Sequence, residues 1–212
     1  MGNKRIPLTP EKVYHYYQHA VGNDNLFFQQ CNYDYFLKKY GEHLHDIFET
    51  YCYCLLPNHF HFLVRVRPLT ELEKPLQHLN RSKMSLSDKL AHKVGSFQNA
   101  YAKAINKQEG RRGALFMQSF GRKEITTPNY LYNVVHYIHK NAVHHGLVSN
   151  IEDWPHTSYH AYWANKRSRL HRQPVMDTFG SQAYFIESHK NRPIDERLIL
   201  EMEDFFKRDK TP

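Results

Sequence analysis

The spacing of apolar and polar residues divides this chain into a short series of strands and helices. VYHYYQHAV, residues 13–21, is dense in aromatic and β-branched residues and predicts a first strand, with GNDN as the turn behind it. In NYDYFLKKYGEHLHDIF, Phe36, Leu37, Tyr40, Leu44 and Ile47 recur near helical spacing. FETYCYCLL and HFHFLVRV then read as two strands joined at Pro57 and Asn58, a natural hairpin turn. The polar segment RPLTELEKPLQHLNRS predicts a loop, and LSDKLAHKVGSFQNAYAKAIN a helix capped near Ser85 or Ser87. After the turn QEGRRG, a strand is expected over Leu115 to Ile125. The next helix starts near Thr127 and Pro128 and stops at Gly146, with Leu131, Val134, Val135, Ile138 and Ala142 as its buried stripe.

The order β, α, β, β, α, β is a split βαβ arrangement. The expected fold class is therefore α+β: a ferredoxin-like antiparallel sheet with an added helix bearing Tyr137 and a C-terminal helical extension. Beyond Trp163, the basic stretch NKRSRLHRQPV reads as irregular, whereas SQAYFIESHK and DERLILEMEDFFKRDK read as helical. The last is amphipathic, with Leu198, Ile199, Met202, Phe205 and Phe206 on one face. At 212 residues a single core is the expectation, with a domain over residues 1–165 and residues 166–212 packed on it.

Composition narrows the partner. Twenty-nine Lys and Arg against 21 Asp and Glu give a formal charge of +8, which favours a polyanion. Three cysteines, Cys31, Cys52 and Cys54, show neither metal nor disulfide spacing and fit a reducing compartment. Cys52 and Cys54 alternate on a strand as small core residues. MGNKRIPLTP has no apolar core for a signal peptide, Ile6 stands where a myristoylation signal wants serine or threonine, and no stretch approaches membrane-spanning length. A cytoplasmic protein is expected.

The chemistry centres on two places. Side chains alternate across a strand, so His59 and His61 point the same way and can share one metal ion, while Phe60, Phe62, Val64 and Val66 face a core on the other side. Taken alone, such a pair is more often packing than a ligand set. On the later helix, Tyr137 and Asn141 are four residues apart and adjacent on the flank of the apolar stripe. Packed beside the histidine strand, that helix brings a phenol and an amide oxygen to the same ion, an arrangement suited to phosphodiester chemistry with tyrosine as nucleophile. Imidazole and amide ligands do not by themselves decide the metal. His136 and His139 read as a solvated polar face, with His144 and His145 elsewhere on the helix. Arg65 and Arg67 share parity with the two histidines, and Arg111, Arg112, Arg122 and Lys123 extend a positive track for nucleic acid near the next strand. Gln118 and Phe120 fit either DNA contact or sheet packing.

Four pieces taken in order, LLPNHFHFLV, RRGALFMQSFGRKEI, YIHKNAVHHGLV and DWPHTSYHAYW, resemble the HUH endonucleases (histidine, bulky hydrophobic, histidine), specifically the single-tyrosine transposases and their REP-associated relatives. The resemblance runs from about Val13 to Trp163; Ala142 stands where the family usually has proline. It implies the same fold, Tyr137 as catalytic nucleophile, His59, His61 and Asn141 as ligands of magnesium or manganese, and cleavage of single-stranded, hairpin or REP-like DNA through a 5′-phosphotyrosine. Some relatives pair, and the amphipathic C-terminal helix offers a crossing element, so a homodimer is expected, with the tyrosine helix completing either its own or its partner's histidine site; a compact monomer working in cis is the alternative. The rival expectations are a DNA-binding protein that has lost cleavage and a metal-dependent hydrolase that uses water.

Overall fold

The computed structural model describes residues 6–79, 83–164 and 168–201. Four strands, β1 (Val13–His19), β2 (Phe48–Leu56), β3 (His59–Val66) and β4 (Gly121–Ile125), form one sheet in the order β2-β3-β1-β4 with every pair antiparallel. Helices α1 (Gln30–Leu44) and α3 (Leu86–Gln108) enclose the chain's βαββαβ succession, which is the ferredoxin-like arrangement expected. Between β3 and α3 lies a further helix, α2 (Leu69–Leu76). After β4 come α4 (Pro128–His144), α5 (Tyr159–Trp163), α6 (Gln173–Phe179) and α7 (Gln182–Asn191).

Alternation along the strands builds a core on each side of the sheet. Tyr14, Tyr16, Phe60, Phe62, Val64 and Val66 face α1 and α3, where Phe36, Tyr40, Phe97 and Tyr101 meet them. Tyr17, Leu63, Cys52 and Cys54 face the other way, against Val134, Val135, Tyr137 and Ile138 of α4. Both strand cysteines are thus core residues, as their alternation predicts. Of the expected α4 stripe, Val134, Val135, Ile138 and Ala142 are buried and Leu131 packs at the margin.

The caps of α4 explain its length. Thr127 Oγ1 accepts from the Tyr130 amide at 3.1 Å and Pro128 fills the first turn, where a missing N–H costs nothing. At the other end the Gly146 amide bonds Val143 O at 3.0 Å and the Leu147 amide bonds Ala142 O at 2.9 Å, with Gly146 at φ +67°, a left-handed stop that favours glycine. The helix passes through Ala142 without a break.

Three elements depart from expectation. The segment read as a polar loop holds α2, because Leu72 and Leu76, one turn apart, are both buried despite Pro75 inside the helix. The strand expected from Leu115 is interrupted: residues 115–117 pair with the end of β1 through Val21 N to Leu115 O (3.0 Å) and Met117 N to His19 O (3.0 Å), and pairing resumes only at Gly121. The basic stretch after Trp163 leads into α6, whose Val175 and Phe179 join the α4 side of the core. The C-terminal helix is present over residues 196–201, with Leu198 buried in that same core; Met202, Phe205 and Phe206 lie outside the described residues.

Candidate active site

The hairpin between β2 and β3 sets the first half of the site. Leu56 pairs with His59 across the two-residue turn Pro57-Asn58. Backbone amides tie that turn down: Ala20 N reaches Asn58 O at 2.8 Å, and Leu26 N and Phe27 N reach Pro57 O at 2.7 and 3.0 Å. His59 and His61 therefore leave a fixed strand start on the α4 side of the sheet.

The second half follows from matched periods. Two residues of strand advance about 6.6 Å, and four residues of helix about 6 Å. With α4 running across β3, Tyr137 meets His61, their ring centroids 5.3 Å apart at 78°, while Asn141 Oδ1 lies 3.1 Å from His59 Nε2. All four side chains are buried. The structure brings together all four residues named for catalysis and metal binding, and does so within a single chain.

Proton placement around His59 is informative. Its Nδ1 lies 2.8 Å from Asn58 Oδ1 and its Nε2 3.1 Å from Asn141 Oδ1, two acceptors between which a neutral ring has one proton to give. Burial, reinforced by His145 and His19 and opposed by Asn141, lowers its pKa to about 3, so the ring is neutral. Whichever nitrogen keeps that proton, the other turns a lone pair towards an amide oxygen. Asn141 Nδ2 is buried with no hydrogen-bond partner among the described residues. Burial first, then His15 and His59, pushes His61 well below the usual imidazole value as well.

Three histidines outside the expected set belong to this neighbourhood. His15 on β1 is buried, with Nε2 3.0 Å from His61 Nδ1 and its ring 5.9 Å from that of Tyr137. His19 stacks on His59 at 5.4 Å, and His145, just past α4, brings an exposed ring within 4.9 Å of His59. The only signal in the sequence for the first two is that His15, Tyr17 and His19 share one strand face. Among the described residues no three His, Cys, Asp or Glu side chains form a metal-holding group; the expected set contains two imidazoles and an amide.

His136 and His139 correct the reading of a solvated face, since both are buried. His139 Nδ1 lies 3.0 Å from His189 Nε2 of α7, and its Nε2 lies 2.9 Å from Ser158 Oγ. His136 stacks on His189 at 4.1 Å, and neither of its ring nitrogens has a hydrogen-bond partner among the described residues. The α6–α7 unit covers the face that was expected to meet water.

The basic residues do not form one track. Along β3, buried Leu63 follows the histidines on the same face, and Arg65 beyond it is held by Glu49 at 2.9 Å and Glu11 at 3.1 Å. Arg67 bonds Glu71 at 2.8 Å and His45 O at 2.9 Å. Arg111 pairs with Asp24 and Asn106, and Arg112 is exposed in the loop before β4. Arg122 bonds Ile6 O and stacks over Phe120 at 4.9 Å, on the opposite face from the site. Lys123 is the one aligned with the site: it is paired in register with His15, lies over Tyr130 at 5.1 Å and meets Glu201. Gln118 is exposed, and Phe120 packs edge-on against Tyr16. No helix among the described residues is long and apolar enough to cross a membrane.

An antiparallel βαββαβ sheet carrying two strand histidines beside a tyrosine–asparagine helix is the layout that the motifs of this chain resemble in the single-tyrosine HUH class. Comparison with known proteins leads to the same place. A Haemophilus influenzae protein named "Putative REP-associated tyrosine transposase" is 28% identical over 116 residues, which is 55% of this chain and 61% of that protein, so the match spans less than two thirds of the relative. The solved structure of a REP-associated tyrosine transposase bound to a REP hairpin shares the fold, with a TM-score of 0.57 at 17% identity over 78% of this chain and 87% of that one. No family model matches. In sequence and in fold, then, the chain is similar to REP-associated tyrosine transposases.

Proposed function

We propose that this protein is a divalent-metal-dependent transposase and endonuclease of single-stranded DNA, with Tyr137 as nucleophile and His59, His61 and Asn141 as the residues that hold magnesium or manganese. The observation that carries the reading is the approach of His59 Nε2 and Asn141 Oδ1 to 3.1 Å beside a tyrosine packed on His61, with the one proton of the neutral imidazole assigned to Nδ1 and Asn58. Acceptor facing acceptor is unfavourable unless a cation sits against both. With its oxygen inward, Asn141 offers a ligand atom beside the His59 nitrogen. The donor set thus fits a divalent ion. It contains no carboxylate, so a bound ion keeps its full charge for a DNA phosphate.

When bound, such an ion polarises the scissile phosphate. The chain does the rest. Tyr137 Oη bonds to phosphorus as the P–O3′ bond breaks, leaving the 5′-phosphate on the tyrosine; the proton lost by the phenol is balanced by one gained at the departing 3′-oxygen. Because the phosphodiester energy is kept in the new ester, a different 3′-hydroxyl can reverse the step without an external energy source. His59, His61 and Asn141 would hold the ion, and the packing of Tyr137 on His61 keeps the nucleophile beside it. Lys123 is the basic residue aligned with the site and Arg112 is exposed; Lys123, like Arg65, Arg67, Arg111 and Arg122, reaches a DNA backbone by exchanging present partners.

The test is a labelled single-stranded hairpin oligonucleotide incubated with the protein and Mg2+ or Mn2+. Protein-linked DNA retaining the 5′-phosphate side, with a free 3′-hydroxyl on the other product, is expected. Cleavage without protein-linked DNA would instead indicate a water-using hydrolase, and binding without cleavage a DNA-binding protein. His59→Ala combined with His61→Ala should remove metal uptake in calorimetry.

A further inference from the structure

His15 lies on β1, paired beside β3, and its Nε2 is 3.0 Å from His61 Nδ1 with the rings stacked at 5.0 Å. Neither ring is exposed at all. One proton is shared between those two nitrogens, and its placement has consequences for the far side of His61. If His15 donates, the single proton of a neutral His61 sits on Nε2 and no lone pair leaves the couple. If His61 donates from Nδ1, its Nε2 presents a lone pair.

A second observation concerns cost. His15 Nδ1 is buried with no hydrogen-bond partner among the described residues, and when Nε2 accepts from His61 this atom carries the ring's own proton, so the bond to His61 is made at the expense of an unsatisfied buried N–H. An apolar side chain at the centre of the sheet would pack there without that penalty.

We propose that His15 is a positioning residue that accepts the Nδ1 proton of His61 and so fixes the tautomer whose Nε2 can ligate a divalent cation; this rests on the metal-site reading above. Ligand histidines ordinarily give that proton to a carboxylate, a carbonyl or water. An imidazole does the same work without adding negative charge, which suits a site that must attract a phosphate.

Long-range proton–nitrogen correlation spectra of the metal-free full chain, with His61 assigned from its loss in His61→Gln, read the tautomer directly. His61 should be protonated at Nδ1 in the wild type and in His15→Gln, whose amide oxygen still accepts. In His15→Leu the Nε2-protonated form should be populated, and Mn2+ affinity should fall on the order of 10- to 100-fold, with His15→Gln staying near wild type. Protonation of His61 at Nε2 in the metal-free wild type would overturn the assignment, as would His15→Leu that keeps both the tautomer and the Mn2+ affinity. A wild type that takes up no Mn2+ defeats the metal-site reading, and the spectra of the metal-free protein then judge the His15–His61 couple separately.

Discussion

Tyr137 and phenylalanine differ by one oxygen, and the ring of Tyr137 is packed against His61 and His15, so Tyr137→Phe should fold and bind DNA as the wild type does while losing strand cleavage. A cleavage assay alongside a binding titration checks it, and undiminished cleavage would remove Tyr137 from the mechanism. Gly121 is a second residue with a specific burden. A Cβ there would lie 2.1 Å from the ring of Tyr17, its register partner, and that ring packs 4.8 Å from His15. Gly121→Ala should therefore destabilise the fold by roughly 1–3 kcal/mol, read as a lower urea midpoint. What could be seen in the sequence at this scale was local: strand alternation aligned His59 with His61, and helical spacing aligned Tyr137 with Asn141. His15, His19 and His145 escaped because their place depends on which strand neighbours which and on where α4 ends, and neither is encoded in spacing alone.

The same distinction holds for elements. Strongly patterned strands and the capped helices α3 and α4 were legible, while α2, with only Leu72 and Leu76 as its buried residues, and the short α6 were not. The buried histidines of α4 show how tertiary context overrides a pattern. A single apolar stripe predicts one buried face, yet α4 has the sheet on one side and α6–α7 on the other. Burying neutral imidazoles makes stability depend on pH. Burial, followed by His189, Lys140 and Arg192, lowers His136 to about 2, and burial lowers His189 to about 3, against an unfolded value of 6.5. The unfolded chain takes up protons first, so their contribution is full above the unfolded value and declines as pH falls from about 6.5 towards 3, by about 1.4 kcal/mol per pH unit for each histidine. Urea unfolding at pH 7, 6 and 5 should show that decline, and His136→Leu should make it shallower. An unchanged midpoint across that range would contradict the buried, neutral state of these rings.

At the scale of the whole molecule, charge and connectivity decide. A formal charge of +8 predicts affinity for single-stranded DNA that falls with salt, with a log–log slope of about −0.7 for each phosphate neutralised; a salt-independent affinity would argue against a backbone-directed interface. Several arginines are already committed to carboxylates, so the slope should be smaller than a count of the six basic candidates suggests. Tyr137 and the two histidines meet within one chain, and Leu198 folds back onto that chain's own core. If the protein pairs, each subunit is expected to work with its own tyrosine. The central claim, a phosphodiester passed to the oxygen of Tyr137, is tested most directly by peptide mass spectrometry of the protein after reaction with hairpin DNA and Mn2+ and nuclease trimming. A nucleotide 5′-phosphate on the peptide containing Tyr137 is the predicted result; a modified peptide that excludes Tyr137, or cleaved DNA with every peptide unmodified, would contradict it.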